Sequence, residues 1–166
     1  RAQKRLQHVL SPKTSISMHA ENLKKHFYKD LARVQDELHL YKSEAAIWTV
    51  TDRISNSTGN LCLHLIGNLH ANIGTGLAKT GYIRQRPLEF SEQNISRKAL
   101  LQQLDAVQLV VANGLDSLSE AQLSEPFPLD SWPKTHSTEY VLLLLLAHLN
   151  YHLGQINYHR RLLASA

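Results

Sequence analysis

Four stretches of this chain repeat apolar residues at the three- and four-residue spacing of a helix face. In the first, Leu23, Phe27, Leu31, Val34, Leu38 and Tyr41 recur with charges between them, which predicts an amphipathic helix from Ser17 to Tyr41. The β-branched and aromatic run Ile47–Val50 interrupts the period and reads as an ordered loop, with Trp48 packed over a bundle end. A second helix is expected from the capping residues Ser55 and Asn56 to about Lys79. The segment TGYIRQRPLEF then reads as a linker in which Pro87 bars another helix nearby. A third helix starts at Asn94 or Ser96 and carries Leu100, Leu104, Val107, Val111, Leu115 and Leu118. Residues 119–136, with Pro126, Pro128 and Pro133, form a stiffened crossing segment, and the fourth helix runs from Ser137 or Thr138 to Arg160 and Arg161. The prediction is an all-α fold: a four-helix bundle with one long crossover connection.

Two of the four helices carry no charge over most of their length. Tyr140 to His159 contains no Asp, Glu, Lys or Arg, and neither does Ile54 to Ala78. A solvent-facing helix normally presents lysine or glutamate, so both should be wrapped by neighbours. On the second helix Leu63, Ile66, Ile73 and Leu77 form an apolar stripe interrupted by His70, while Ser57, Asn60, His64, Asn68 and Thr75 form a small polar stripe that suggests a cavity lining. A bilayer span is the competing explanation. It fits poorly, because the run from Tyr140 holds three histidines, two asparagines, a glutamine and Gly154, and its purely leucine part is only Leu142–Leu146. A buried helix pair, partly covered by a second subunit, accounts for both runs, and no membrane partner is expected.

Length and charge narrow the class further. The chain of 166 residues suits one domain. Its formal charge of +4 sits in residues 1–17, which hold Arg1, Lys4, Arg5 and Lys13 without an acid; residues 18–166 balance 14 bases against 14 acids. A neutral folded part lacks the basic stripe that nucleic-acid binding requires. The only methionine is Met18, so residues 1–17 are expected to be an extension or expression remnant and residues 18–166 the domain. The lone cysteine, Cys62, fits a reducing cytoplasm.

The chemistry lies in the last helix. His148 and His152 are four residues apart, so both imidazoles project from one face a turn apart, where a single divalent ion such as zinc or nickel can bridge them. A hydrogen-bonded core pair is the plainer alternative, and a third ligand is needed to decide. Neither HExxH nor Glu-x-x-His occurs, and one cysteine cannot build a thiolate site. Any ligand set must therefore consist mainly of histidine.

NSTGNLCLHLIGNLH, the arginine-bearing loop after it, and HLNYHLGQINYHRR near the C-terminus together resemble the DinB superfamily, also called DinB/YfiT-like metalloenzymes. The most specific part is HxxxHxGQ at His148, His152, Gly154 and Gln155. The resemblance implies a bundle that is commonly dimeric and a divalent metal held by His64, His148 and His152. His64 lies on the polar stripe; His70, on the apolar one, is the first substitute for it. His159 returns to the ligand face but lies about 10 Å further along the axis, too far for the same ion. Three neutral imidazoles leave an ion's double charge and an open position, as in catalytic sites. The activity found among members of the family is transfer of a low-molecular-weight thiol to small electrophiles. Thiolate attack needs no general base, whereas a hydrolase activating bound water usually does; neither ligand helix offers a carboxylate within a turn of the histidines, although Glu89 or Asp130 could reach the site through the fold. The hydrolase is the second expectation and a non-catalytic metal-binding or interaction module the third. Arg84 is a candidate anion contact for substrate, and Gln155 a candidate pocket group or support for a ligand.

Overall fold

The computed structural model describes residues 17–51, 54–116 and 118–164, and it is all-α. Four long helical elements make the bundle: α1 (Met18–His39), α3 (Thr58–Leu69) with its π-helical continuation (His70–Leu77), α5 (Arg97–Leu115) and α7 (Thr138–Ala164). Three short helices sit in the connections: α2 (Glu44–Ile47), α4 (Arg86–Ser91) and α6 (Glu120–Ser124). The expected extension, residues 1–17, lies outside the described part except for Ser17. Ser17 belongs to the fold, since its hydroxyl accepts from the His19 and Ala20 N–H groups at the start of α1 and its own N–H donates to Leu118 O.

Side-chain pairs give the directions of the helices. On α7, Asn150 donates to Asp30 and Arg160 to Glu37, so α7 runs parallel to α1. Lys24 pairs with Asp116 and Gln35 with Asp105, so α5 runs antiparallel to α1. The start of α3 meets the ends of α1 and α7, where Tyr41, Thr58 and His159 share hydrogen bonds, so α3 runs antiparallel to both. The helices thus form a square in the order α1, α5, α3, α7. Leu31, Val34, Leu104, Val111, Leu149 and Ile156 are fully buried between them, and truncating such a leucine costs about 2–5 kcal/mol.

Parallel neighbours cannot be joined by a short turn. The chain leaves the π segment at one end of the bundle and must return to the other before α5 begins, so residues 78–96 travel its length against α3. Residues 119–136 instead cross one end, between the diagonal helices α5 and α7. Three local expectations need correction. Pro87 does not exclude a helix: it stands in the first turn of α4, where a missing N–H leaves no hydrogen bond unmade. Residues Glu44–Ile47 form one helical turn capped by Ser43, and Trp48 ends it. The second long helix starts at Thr58 behind the cap Ser57 and widens into a π helix at His70, so its stripes do not continue at one period to Lys79. Trp48 does pack across a bundle end, its ring so close to Gly59 that a Cβ there would lie 2.6 Å from it, and its indole N–H donates to Ile95 O.

No helix among the described residues is long and apolar enough to cross a membrane.

Candidate metal centre

The polar stripe of α3 faces the returning segment rather than an open cavity. Ser57 caps the helix by accepting from the Asn60 N–H. Asn60 in turn donates through its amide to Glu89 O and Glu92 O, fixing α4 against α3 by its backbone. One turn on, His64 is buried, and three residues after it comes Gly67. A Cβ on Gly67 would lie 2.2 Å from Glu89 Oε1, so only glycine leaves room for that carboxylate. The helix face and the strap across it are built for each other.

Glu89 is 6% exposed and both of its oxygens are engaged. Arg84 donates from Nε to Oε1 at 2.6 Å and from Nη2 to Oε2 at 2.9 Å; His64 donates from Nδ1 to Oε2 at 2.8 Å. The 3.2 Å approach of Arg84 Nη2 to His64 Nδ1 follows from their sharing one acceptor. With its Nδ1 proton committed to a carboxylate, His64 presents a bare lone pair at Nε2. Arg84 offsets the charge of Glu89, so the group behind the histidine is neutral overall.

Across the interface α7 contributes His148 and His152. His148 Nε2 lies 3.0 Å from His64 Nε2 and donates to it. The three rings sit edge to face, with centroids 5.1 Å (His64–His148), 5.0 Å (His64–His152) and 4.4 Å (His148–His152) apart. His152 Nδ1 donates to Gln155 Oε1 at 2.7 Å, which fixes the second imidazole as Glu89 fixes the first. One ligand nitrogen from each histidine lies within 4.8 Å of the other two. Bonds of about 2.0–2.1 Å in a tetrahedron put ligand nitrogens about 3.3 Å apart; the His64–His148 pair stands at 3.0 Å and no pair is more than 4.8 Å apart, so the three imidazoles stand near that spacing without adopting it. His64, His148 and His152 could thus hold a metal ion.

The histidines are also held in the protonation state a metal requires. Burial lowers the pKa of all three. For His148 the neighbouring His152 and His64 and the charges of Arg84 and Arg86 add to burial, taking it to about 4. Burial outweighs the opposing hydrogen bonds to Glu89 at His64 and to Gln155 at His152. All three are neutral at physiological pH.

The other sequence candidates fall elsewhere. His70 stacks on Tyr82 at 5.0 Å and is not part of the cluster. His159 is buried at the bundle end, accepting from Tyr41 at Nδ1 and donating to Thr49 O from Nε2. Asp130 is exposed and paired with Lys134. Arg84 adjoins the cluster, with two of its three nitrogens turned to Glu89. Sequence reasoning considered Glu89 as a base and not as the partner of His64; the glycine three residues after His64 was the available sign that something packs there.

Fold and site define a class, an all-α bundle carrying a three-histidine cluster able to hold a metal ion. The chain belongs to a family described as a protein of unknown function, DUF1572, which matches residues 16–166. Among solved structures it is similar to a conserved protein from Enterococcus faecalis, with a TM-score of 0.71 and 18% identity over 92% of this chain and 100% of that one. That likeness concerns the fold. No curated protein matches the sequence.

Proposed function

We propose that this protein is a DinB-like metalloprotein that binds a divalent ion, zinc or nickel, through His64, His148 and His152, and transfers a low-molecular-weight thiol to a small electrophile. The observation that carries the metal reading is the convergence of three neutral imidazoles, two of them fixed from behind by Glu89 and Gln155. When bound, such an ion acts as a Lewis acid and stabilises a thiolate at neutral pH. The protein's own groups favour thiol transfer over hydrolysis. Hydrolysis needs a base near the cluster, and the carboxylate closest to hand, Glu89, has both oxygens tied to Arg84 and His64. A thiolate is itself the nucleophile and needs no such group. Arg84 stays the proposed contact for an anionic part of the thiol or the acceptor, through Nη1, the nitrogen that Glu89 does not engage.

The same reading makes the protein a cytoplasmic homodimer. Its support is the N-terminal half of α7, where Tyr140, Leu143 and Leu144 are 47%, 50% and 37% exposed, an apolar face bordered by Glu139 and suited to a second copy. Cys62 is fully buried, with its thiol pushed up to about 12 by burial, and so is not the nucleophile.

The test is elemental analysis of protein purified without a metal-affinity column, comparing wild type with His148→Ala and His152→Ala. Stoichiometric metal in the wild type and its loss in both variants is the expected result; a metal-free wild type ends the proposal. A panel of thiols and electrophiles assayed with the metal-loaded protein then separates transferase from hydrolase and from a module without turnover.

A further inference from the structure

A groove of about 550 Å³ runs beside the C-terminal half of α7, between that helix and residues 54–56 before α3. Its size is that of a small-molecule site, and none of the described side chains lining it is charged. Tyr151, Gly154, Gln155 and Tyr158 form its α7 side.

Gly154 is the unexplained residue. It stands inside a 27-residue helix, where glycine costs about 1 kcal/mol relative to alanine. Gly59 and Gly67 are required by Trp48 and Glu89, which occupy the space of their missing side chains. A Cβ on Gly154 would meet nothing within 4 Å. No described side chain occupies that room, and Gly154 stands exposed on the groove's wall. Tyr151 and Tyr158, three residues before and four after, are 64% and 62% exposed and stand two turns apart, about 10.5 Å along the axis. Gly154, between them in the chain, leaves a stretch of the groove wall without a side chain, where a planar group can lie.

The groove lies beside the histidine cluster, touching it through Gln155 and not through the three histidines, none of which lines it. Gln155, in its wall, accepts from His152 through Oε1, which leaves its amide N–H groups to a ligand's acceptor. The Tyr151 ring lies 5.2 Å from the His152 ring.

We propose that this groove binds an uncharged, planar, largely apolar small molecule, an aromatic or conjugated carbonyl compound, with its flat body over Gly154 and its carbonyl oxygen on Gln155. The ligand's role as the electrophile of the thiol transfer rests on the function proposed above; its binding does not.

The probe is prodan, an uncharged planar naphthyl ketone whose emission rises and shifts to the blue in an apolar site. It is titrated into the wild-type chain, His148→Ala and Gly154→Leu. Wild type and His148→Ala are expected to saturate alike, and Gly154→Leu to bind about tenfold more weakly or worse, because the leucine occupies the ligand's space. Gly154→Leu should keep the helical circular dichroism of the wild type, since its side chain enters open space and leucine is the better helix former. No saturable binding to wild type, or unchanged binding to Gly154→Leu, overturns the proposal. So does a Gly154→Leu variant that loses the probe while changing from dimer to monomer, which would assign the groove to a second copy. Saturable binding to a wild type that holds no metal sustains the groove while the metal reading falls.

Discussion

Glu89→Gln is the most informative change at the cluster, because it removes a charge while leaving the strap in place. The backbone of α4 is held by Asn60 through Glu89 O and Glu92 O, bonds that do not involve the Glu89 side chain. Glutamine keeps one carbonyl oxygen for His64 Nδ1 but cannot also accept both bonds from Arg84. The His64 imidazole becomes a weaker donor of its Nε2 lone pair, and the Arg84 charge beside it is no longer offset. Both effects oppose a cation. Loss of the partner behind a metal-binding histidine lowers affinity by about 10- to 100-fold, or about 1.4–2.7 kcal/mol. The assay is zinc competition against a chromogenic chelator at neutral pH, with Asp130→Asn as a control on an exposed carboxylate. Glu89→Gln within about twofold of wild type would show that Glu89 serves packing alone and that the orienting argument is wrong.

Three further outcomes are expected. Metal-free protein should lose stability as pH falls from 6.5 toward about 4: the unfolded histidines take up protons there while His148, with His64 and His152 shifted the same way, does not, so stability is full above 6.5 and declines through that window. Urea unfolding across pH should show a shallower decline for His148→Gln, and an equal one would contradict the shift. His64→Ala should abolish stoichiometric metal while His70→Ala, which removes only the stack on Tyr82, should retain it; the reverse order would move the third ligand. Tyr41→Phe strips the hydroxyl shared by Thr58 and His159 in the buried bundle end, and urea unfolding should show a loss of about 1–3 kcal/mol.

The long helices were legible because burial imposes a period, and Leu23 to Leu38 or Leu100 to Leu115 display it without interruption. The histidine group was legible in part for the same reason: four-residue spacing puts His148 and His152 on one face, and the polar stripe set His64 apart from His70. What could not be read depends on contacts distant in sequence. Glu89 meets His64 because α3 and α5 are parallel and residues 78–96 must double back along α3, a fact carried by no local pattern. The π turn at His70 leaves as little trace, since Gly74 and Gly76 fit several backbone geometries equally well. The α4 helix was hidden by its proline, which in a first turn is helix-compatible and in any later turn is not.

The strap between α3 and α5 separates two kinds of information that most sites interleave. The three histidines stand on α3 and α7, whose buried faces are committed to the core, so their positions change only at the expense of the fold. Arg84 and Glu89 are written into residues 78–96, which the bundle holds through Asn60 and the gap at Gly67 among other contacts. Changes confined to this stretch can therefore alter the charges behind His64 while leaving the backbone positions of the three histidines in place.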